Sequence, residues 1–205
     1  MIKKGLFGGT FDPIHNGHLH IAYEALYNLS LDRVIFMPSG NPPHKTDRVI
    51  TDAKIRYTLI NEVIENEKRF EVSDYEIKKK TLSYTYETLK HFNKLEPSTK
   101  WHFITGVDCL MNLYTWKNIN EILNLCKFVV FNRSGYNKEE ILIQKKEIEN
   151  KFKKEIIFLD LPVLEISSTS IRSKIEKEET ISYLVPEKAK IVIEDMKLYK
   201  QKGDS

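Results

Sequence analysis

Two histidines, His15 and His18, flank Gly17 at the end of the run Gly8-Gly9-Thr10-Phe11-Asp12-Pro13-Ile14-His15-Asn16-Gly17-His18. The run leaves an apolar stretch, Leu6-Phe7, and enters a segment where Leu19, Ala22, Leu26 and Leu29 recur at helical spacing. It is therefore a strand-to-helix turn. Gly8 and Gly9 have the freedom for φ > 0 and let backbone N–H groups come close to a ligand. The helix that begins near Gly17 presents unpaired N–H groups and the positive end of its dipole, an anion site. Imidazoles at that end donate hydrogen bonds to a phosphate and titrate near working pH. A zinc site is the rival for closely spaced histidines, but no cysteine is near and a helix N-terminus disfavours a cation. The residue types point to phosphate.

A second segment, Ile166-Ser167-Ser168-Thr169-Ser170-Ile171-Arg172, has the same chemistry. Ser167, Ser168 or Thr169 can cap a helix, its N–H groups can face phosphate, and Arg172 supplies a forked cation. Alone, such a cap is usually structural. Beside the first segment it makes a second phosphate-facing helix start.

These groups need a scaffold, and the sequence provides an ordinary one. With 205 residues, 41% hydrophobic and 30% charged, the chain is sized for one domain with a full core. The expected division is a single domain over 1–205, with the helices of about 166–200 packed against the sheet. A net charge of +3 is too balanced to argue for nucleic acid or an anionic membrane as partner. Cys109 and Cys126 have no zinc or disulfide spacing and read as small core residues of a reducing compartment. No apolar run approaches the ~20 residues of a membrane span, and cytoplasmic is the default.

Short apolar runs alternate with helical patterns. Leu6-Phe7, residues 34–37, 70–72, 101–104, 128–131 and 156–159 read as strands. Helices are expected over 19–29, after Thr51-Asp52 with Ile55, Leu59, Ile60 and Val63 inward, over 85–95, over 138–154 and toward the C-terminus. Alternating strands and helices imply an α/β fold, a parallel sheet with helices on both faces. The glycine, prolines and polar residues of 39–49 suit a lid. His20, His91 and His102 read as structural, and Lys78-Lys79-Lys80 as a solvated face.

GGTFDPIHNGH resembles the signature of the HIGH nucleotidyltransferase superfamily, in its form His-x-Gly-His, and Ile166–Arg172 resembles that superfamily's ISSTxIR motif. The likeness is closest to the bacterial nicotinate-nucleotide adenylyltransferase family. It extends over essentially the whole chain, through 38–45, Ser83-Tyr84-Thr85-Tyr86-Glu87-Thr88-Leu89, Gly106-Val107-Asp108, Trp116 and Asn132-Arg133. The resemblance implies a Rossmann-like sheet of the nucleotidyltransferase type. It implies transfer of the adenylyl group of ATP, brought with Mg2+, to nicotinate mononucleotide, giving deamido-NAD and pyrophosphate.

Carried over position by position, His15, His18 and Arg172 are the catalytic residues. Gly8, Gly9, Thr10, Phe11, His15, His18, Ser168 and Arg172 bind ATP. His44 and Lys45 meet phosphate, Thr85 and Tyr86 offer N–H groups to the nicotinate carboxylate, Trp116 stacks on the pyridine ring, and Asp108 holds a ribose hydroxyl. Arg133 follows a strand end, where α/β folds gather ligands. Donors facing a carboxylate would reject the neutral amide of nicotinamide mononucleotide. No resident metal or tightly bound cofactor is implied, and monomers and homo-oligomers are both compatible with the family. The alternatives are a phosphopantetheine adenylyltransferase, which usually has threonine in place of the first histidine, and a non-catalytic nucleotide-binding module.

Overall fold

The computed structural model describes residues 1–40, 50–79, 81–132, 135–162 and 164–200. His44, Lys45 and Arg133, and most of the 39–49 loop, lie outside the described residues. The apolar runs form strands β1 (Lys3–Gly9), β2 (Arg33–Pro38), β3 (Phe70–Val72), β4 (Lys100–Gly106), β5 (Lys127–Phe131) and β6 (Ile156–Leu159). They pair in parallel in the order β3-β2-β1-β4-β5-β6. Leu6 sits between Ile35 and Phe103 in this register.

Between the strands run α1 (Asn16–Asn28), α2 (Ala53–Ile64), α3 (Thr85–Leu95), α4 (Val107–Met111), a 3-10 turn (Leu113–Thr115), α5 (Ile119–Leu125) and α6 (Lys138–Phe152). Helices α7 (Ser168–Glu176) and α8 (Glu187–Asp195) close the chain. Successive strand side chains point to opposite faces, and both faces are covered. Phe7, Val34, Phe36, Ile104 and Val129 pack with Ala22, Leu26, Leu59, Ile60, Ile171 and Ile193 from α1, α2, α7 and α8. Leu6, Ile35, Phe103, Phe128 and Val130 pack with Leu89, Leu110, Ile122 and Ile148 from α3, α4, α5 and α6. This two-sided burial is why the strands read as continuous apolar runs.

Helix α2 starts where the sequence indicates, with the Asp52 carboxylate accepting from the Lys54 N–H at 2.8 Å. Its inner face is rotated by about one position from the apolar pattern: Arg56, Leu59, Ile60 and Ile64 are buried, whereas Ile55 and Val63 are only half-buried. The buried arginine has a role at the site.

The chain steps outward from β1 to β2 and β3, then returns to lay β4 on the other side of β1. The connections after β1 and β4 diverge there. In open parallel sheets this reversal opens a crevice beyond the strands' carboxyl ends, and the motif after β1 lies in it.

Candidate active site

A cleft of about 870 Å³ occupies this crevice. It is lined at one end by Gly9, Thr10, His15, His18 and Ser168, and at the other by Thr85, Asp108, Trp116 and Lys117. The glycine run differs from its sequence reading. Gly8 and Gly9 are the last residues of β1, and neither is among the residues with positive φ. The left-handed turn is made by Phe11, at φ 51°. Its ring packs edge-on against Phe7 at 5.4 Å. A Cβ on Gly9 would lie 2.8 Å from that ring. The glycine is required by close approach. An L-residue in the left-handed region costs roughly 1–2 kcal/mol, offset here by burial of the ring.

His15 is the N-cap of α1, and no acidic residue follows in the first turn. The two imidazoles stack with centroids 3.6 Å apart and planes 23° from parallel. The His15 N–H donates to Nδ1 of His18 at 3.3 Å. That bond keeps Nδ1 of His18 an acceptor, so its neutral ring carries the proton on Nε2. The Phe11 ring, 4.9 Å away edge-on, braces the same imidazole.

Behind the turn lies a polar knot that the motifs do not announce. Arg56, 1% exposed, donates to three backbone carbonyls: Thr10 at 2.6 Å, Thr51 at 2.8 Å and Ser39 at 2.8 Å. Burial pushes its guanidinium pKa down, opposed by the charges of Asp12 and Asp52. Asp12 is itself buried and accepts from the Tyr199 hydroxyl at 2.9 Å. Burial and the Asp12 charge push the Tyr199 hydroxyl well above its ordinary range.

Helix α7 closes over the same turn. Ser167 is the cap, accepting from the Ser170 N–H at 3.1 Å. Ser168 donates to the Pro13 carbonyl at 2.9 Å. Arg172 donates to the Asp12 carbonyl at 2.7 Å and to the Thr169 hydroxyl at 3.1 Å. The structure thus brings together the two motifs, more than 150 residues apart in sequence. Arg172 is not among the residues that line the cleft.

At the other end, α3 begins with no side chain capping its N-terminus, and Tyr84 and Thr85 line the cleft. Trp116 is half-buried, edge-on to Phe103 at 6.1 Å and Phe128 at 6.2 Å. Asp108 lies in the first turn of α4. Its carboxylate folds over Gly106 so closely that a Cβ there would meet Oδ1 at 2.4 Å. Glu76, buried behind Ser83, accepts from the Thr88 hydroxyl at 2.7 Å, and burial raises its pKa. Cys109 lines the cleft rather than the core. Cys126 is the inert thiol, donating to the Ile122 carbonyl at 3.3 Å and pushed up to about 12 by burial.

A smaller pocket of about 90 Å³ adjoins the histidines, walled by Gly17, Ile21, Phe131, Leu161 and Ile166. His20 borders it, whereas His91 stacks on Tyr75 and His102 is buried in β4. Among the described residues, no group of three or more His, Cys, Asp or Glu side chains is gathered to hold a metal ion. Nor, among the described residues, is any helix long and apolar enough to cross a membrane.

A parallel sheet with an imidazole pair at the turn after β1, faced by a serine-capped helix, defines a nucleotidyltransferase of the cytidylyltransferase-like class, whose family model matches residues 6–174. More particularly, a Clostridium novyi protein named "Probable nicotinate-nucleotide adenylyltransferase" is 70% identical over 200 residues, 98% of this chain and 100% of that protein. A Clostridium tetani protein of the same name is 57% identical over the same shares. The chain belongs to the family of nicotinate-nucleotide adenylyltransferases. Its fold is shared by the nicotinic acid mononucleotide adenylyltransferase of Plasmodium falciparum complexed with NaAD. That match has a TM-score of 0.78 at 20% identity and covers 97% of this chain and 98% of the other.

Proposed function

We propose that this chain transfers the adenylyl group of ATP to nicotinate mononucleotide, and that the two ends of the cleft divide the work. The observation that carries this reading is one cleft with an imidazole pair and a helix start at one end, and an uncapped helix start facing an indole at the other.

In this reading the triphosphate lies against the N-termini of α1 and α7, with the adenine in the apolar pocket beside Gly17 and Ile166. Bare backbone at Gly17 and aliphatic walls suit a flat heterocycle. The acceptor's pyridine ring lies on Trp116, its carboxylate meets the first N–H groups of α3 at Thr85 and Tyr86, and Asp108 accepts from a ribose hydroxyl. His44, Lys45 and Arg133 belong to the proposal on their sequence positions alone. Magnesium enters bound to the ATP phosphates, as part of the substrate.

A phosphate oxygen of nicotinate mononucleotide forms the new bond to the α-phosphorus in line, and the bond to the bridging oxygen breaks. Its electron pair leaves with pyrophosphate. No protein nucleophile is needed, since such transfers rest on positioning and on stabilising charge at the oxygens. His18 donates its Nε2 proton as a hydrogen bond to the phosphate oxygens. Its Nδ1 bond to the His15 backbone holds the donor in the right tautomer. Arg172, through the Asp12 carbonyl, holds the turn that carries both histidines.

The test is pyrophosphate release with MgATP and, in turn, nicotinate mononucleotide, nicotinamide mononucleotide and phosphopantetheine. Fast release with the first alone is expected. Release only with phosphopantetheine would refute the acceptor half of the reading, and none with any acceptor would refute the enzymatic one.

A further inference from the structure

Lys117 follows Trp116 in sequence and lines the cleft beside Thr85. Its ammonium lies 4.5 Å from the centroid of the Tyr84 ring and 5.8 Å from that of Tyr86. The two rings are themselves 6.1 Å apart at 34°, an open wedge around the cation. Among the described residues Lys117 makes no salt bridge. Glu87, the acidic residue in the first turn of α3, is bonded by Lys79 at 2.9 Å and by the Tyr86 hydroxyl at 2.9 Å, and feels the Lys117 charge only at longer range, as a minor contribution to its lowered pKa.

The distinction matters. A lysine in a salt bridge has its charge neutralised, and an incoming anion must compete with the resident carboxylate. A lysine held on aromatic faces is oriented by the ring quadrupoles and keeps its full charge. Here that charge stands at the end of the cleft where α3 presents its open N–H groups. The helix start favours an anion through its dipole, and the ammonium adds a unit charge from a second element. Two carboxyl groups line the same end of the cleft: Asp108 of α4 sits over Gly106, and Glu76 accepts from the Thr88 hydroxyl.

We propose that Lys117 is a specificity-determining residue for the acid form of the acceptor. It supplies the monopole that distinguishes a pyridine carboxylate from the neutral carboxamide, whereas the backbone N–H groups of α3 supply direction. The inference rests on the acceptor reading above. An exposed ammonium near a carboxylate gains about one factor of five to ten at moderate salt, so the N–H groups retain a share of the discrimination.

The test is the ratio of kcat/KM for nicotinate over nicotinamide mononucleotide in the wild-type protein, Lys117→Gln and Lys117→Arg. Lys117→Gln is expected to lower that ratio about five- to tenfold, through KM for the acid nucleotide and with a much smaller change in KM for ATP. Lys117→Arg should stay within about twofold of wild type, because a guanidinium also sits on tyrosine faces. Raising salt from about 50 to about 500 mM should weaken acid-nucleotide binding in the wild type and less so in Lys117→Gln. A ratio unmoved by Lys117→Gln overturns the proposal, as do equal losses with both acceptors, the mark of a merely structural lysine. A wild-type protein with no preference for the acid would refute the acceptor reading instead, so the two failures are separable.

Discussion

Replacing Arg56 by methionine tests whether the turn after β1 is held from behind. The guanidinium, 1% exposed, is bonded to the carbonyls of Thr10, Thr51 and Ser39, which follow β1, precede α2 and follow β2. Methionine fills most of the volume but offers no donor, leaving three carbonyls and the nearby Asp12 carboxylate without their cation. Each charge-assisted bond contributes about 1.5–3 kcal/mol, and water recovers part of that at Thr10 and Ser39, which border the cleft. Breaking a buried charged cluster typically costs about 3–5 kcal/mol, a large share of the roughly 5–15 kcal/mol of a native protein. At about 2–4 °C per kcal/mol for this size, the midpoint should fall by about 10 °C. Turnover, measured by pyrophosphate release well below the lowered midpoint, should fall about a hundredfold, since a misplacement near 1 Å has that effect. Urea unfolding followed by circular dichroism reads the stability, and an unchanged m value keeps the comparison valid. A loss under about 1 kcal/mol with normal turnover would refute the reasoning, because the knot would then be incidental.

Three further outcomes are expected. His18→Ala should lower kcat at least about a hundredfold, the usual effect of removing one donor from a charged transition state, and a variant within tenfold of wild type would unseat His18. Gly106→Ala places a Cβ 2.4 Å from Oδ1 of Asp108. It should raise KM for the pyridine nucleotide more than KM for ATP, which steady-state kinetics with each substrate varied would check. His102 is buried in β4, and its pKa is pushed below 6.5 by burial, with the Lys3 and Lys100 charges adding to the effect. The unfolded chain therefore binds the proton first, and stability falls as pH drops below about 6.5, by at most about 1.4 kcal/mol per pH unit for this group. His102→Gln should flatten that part of the urea midpoint–pH curve, and an unaltered slope would remove His102 as its source.

The parts of this protein readable from sequence are those within one or two turns of chain. The strands are apolar over consecutive residues because both sheet faces are covered, and that burial leaves its mark position by position. His15 and His18 meet because an N-cap and the third residue of a helix are neighbours by construction. Ser167 caps α7 by the same local geometry.

What the tertiary structure decided lies across long separations. Tyr199 meets Asp12 187 residues away, and Arg172 reaches the Asp12 carbonyl across 160. Nothing in the sequence singles out Arg56, because the apolar pattern of α2 is satisfied one position earlier. Only the packed fold shows that its face points at three carbonyls. Gly8 and Gly9 were expected to turn the chain, but strand pairing extends through them and the turn passes to Phe11, whose ring needs the space a glycine leaves. Lys117 was one lysine among many until α3 and the segment after α4 folded together around it. Local spacing determines which elements form and where a motif can bind an anion. The orientation of those elements, and so which charges are neutralised and which stay available to a substrate, is set by contacts that no window of sequence contains.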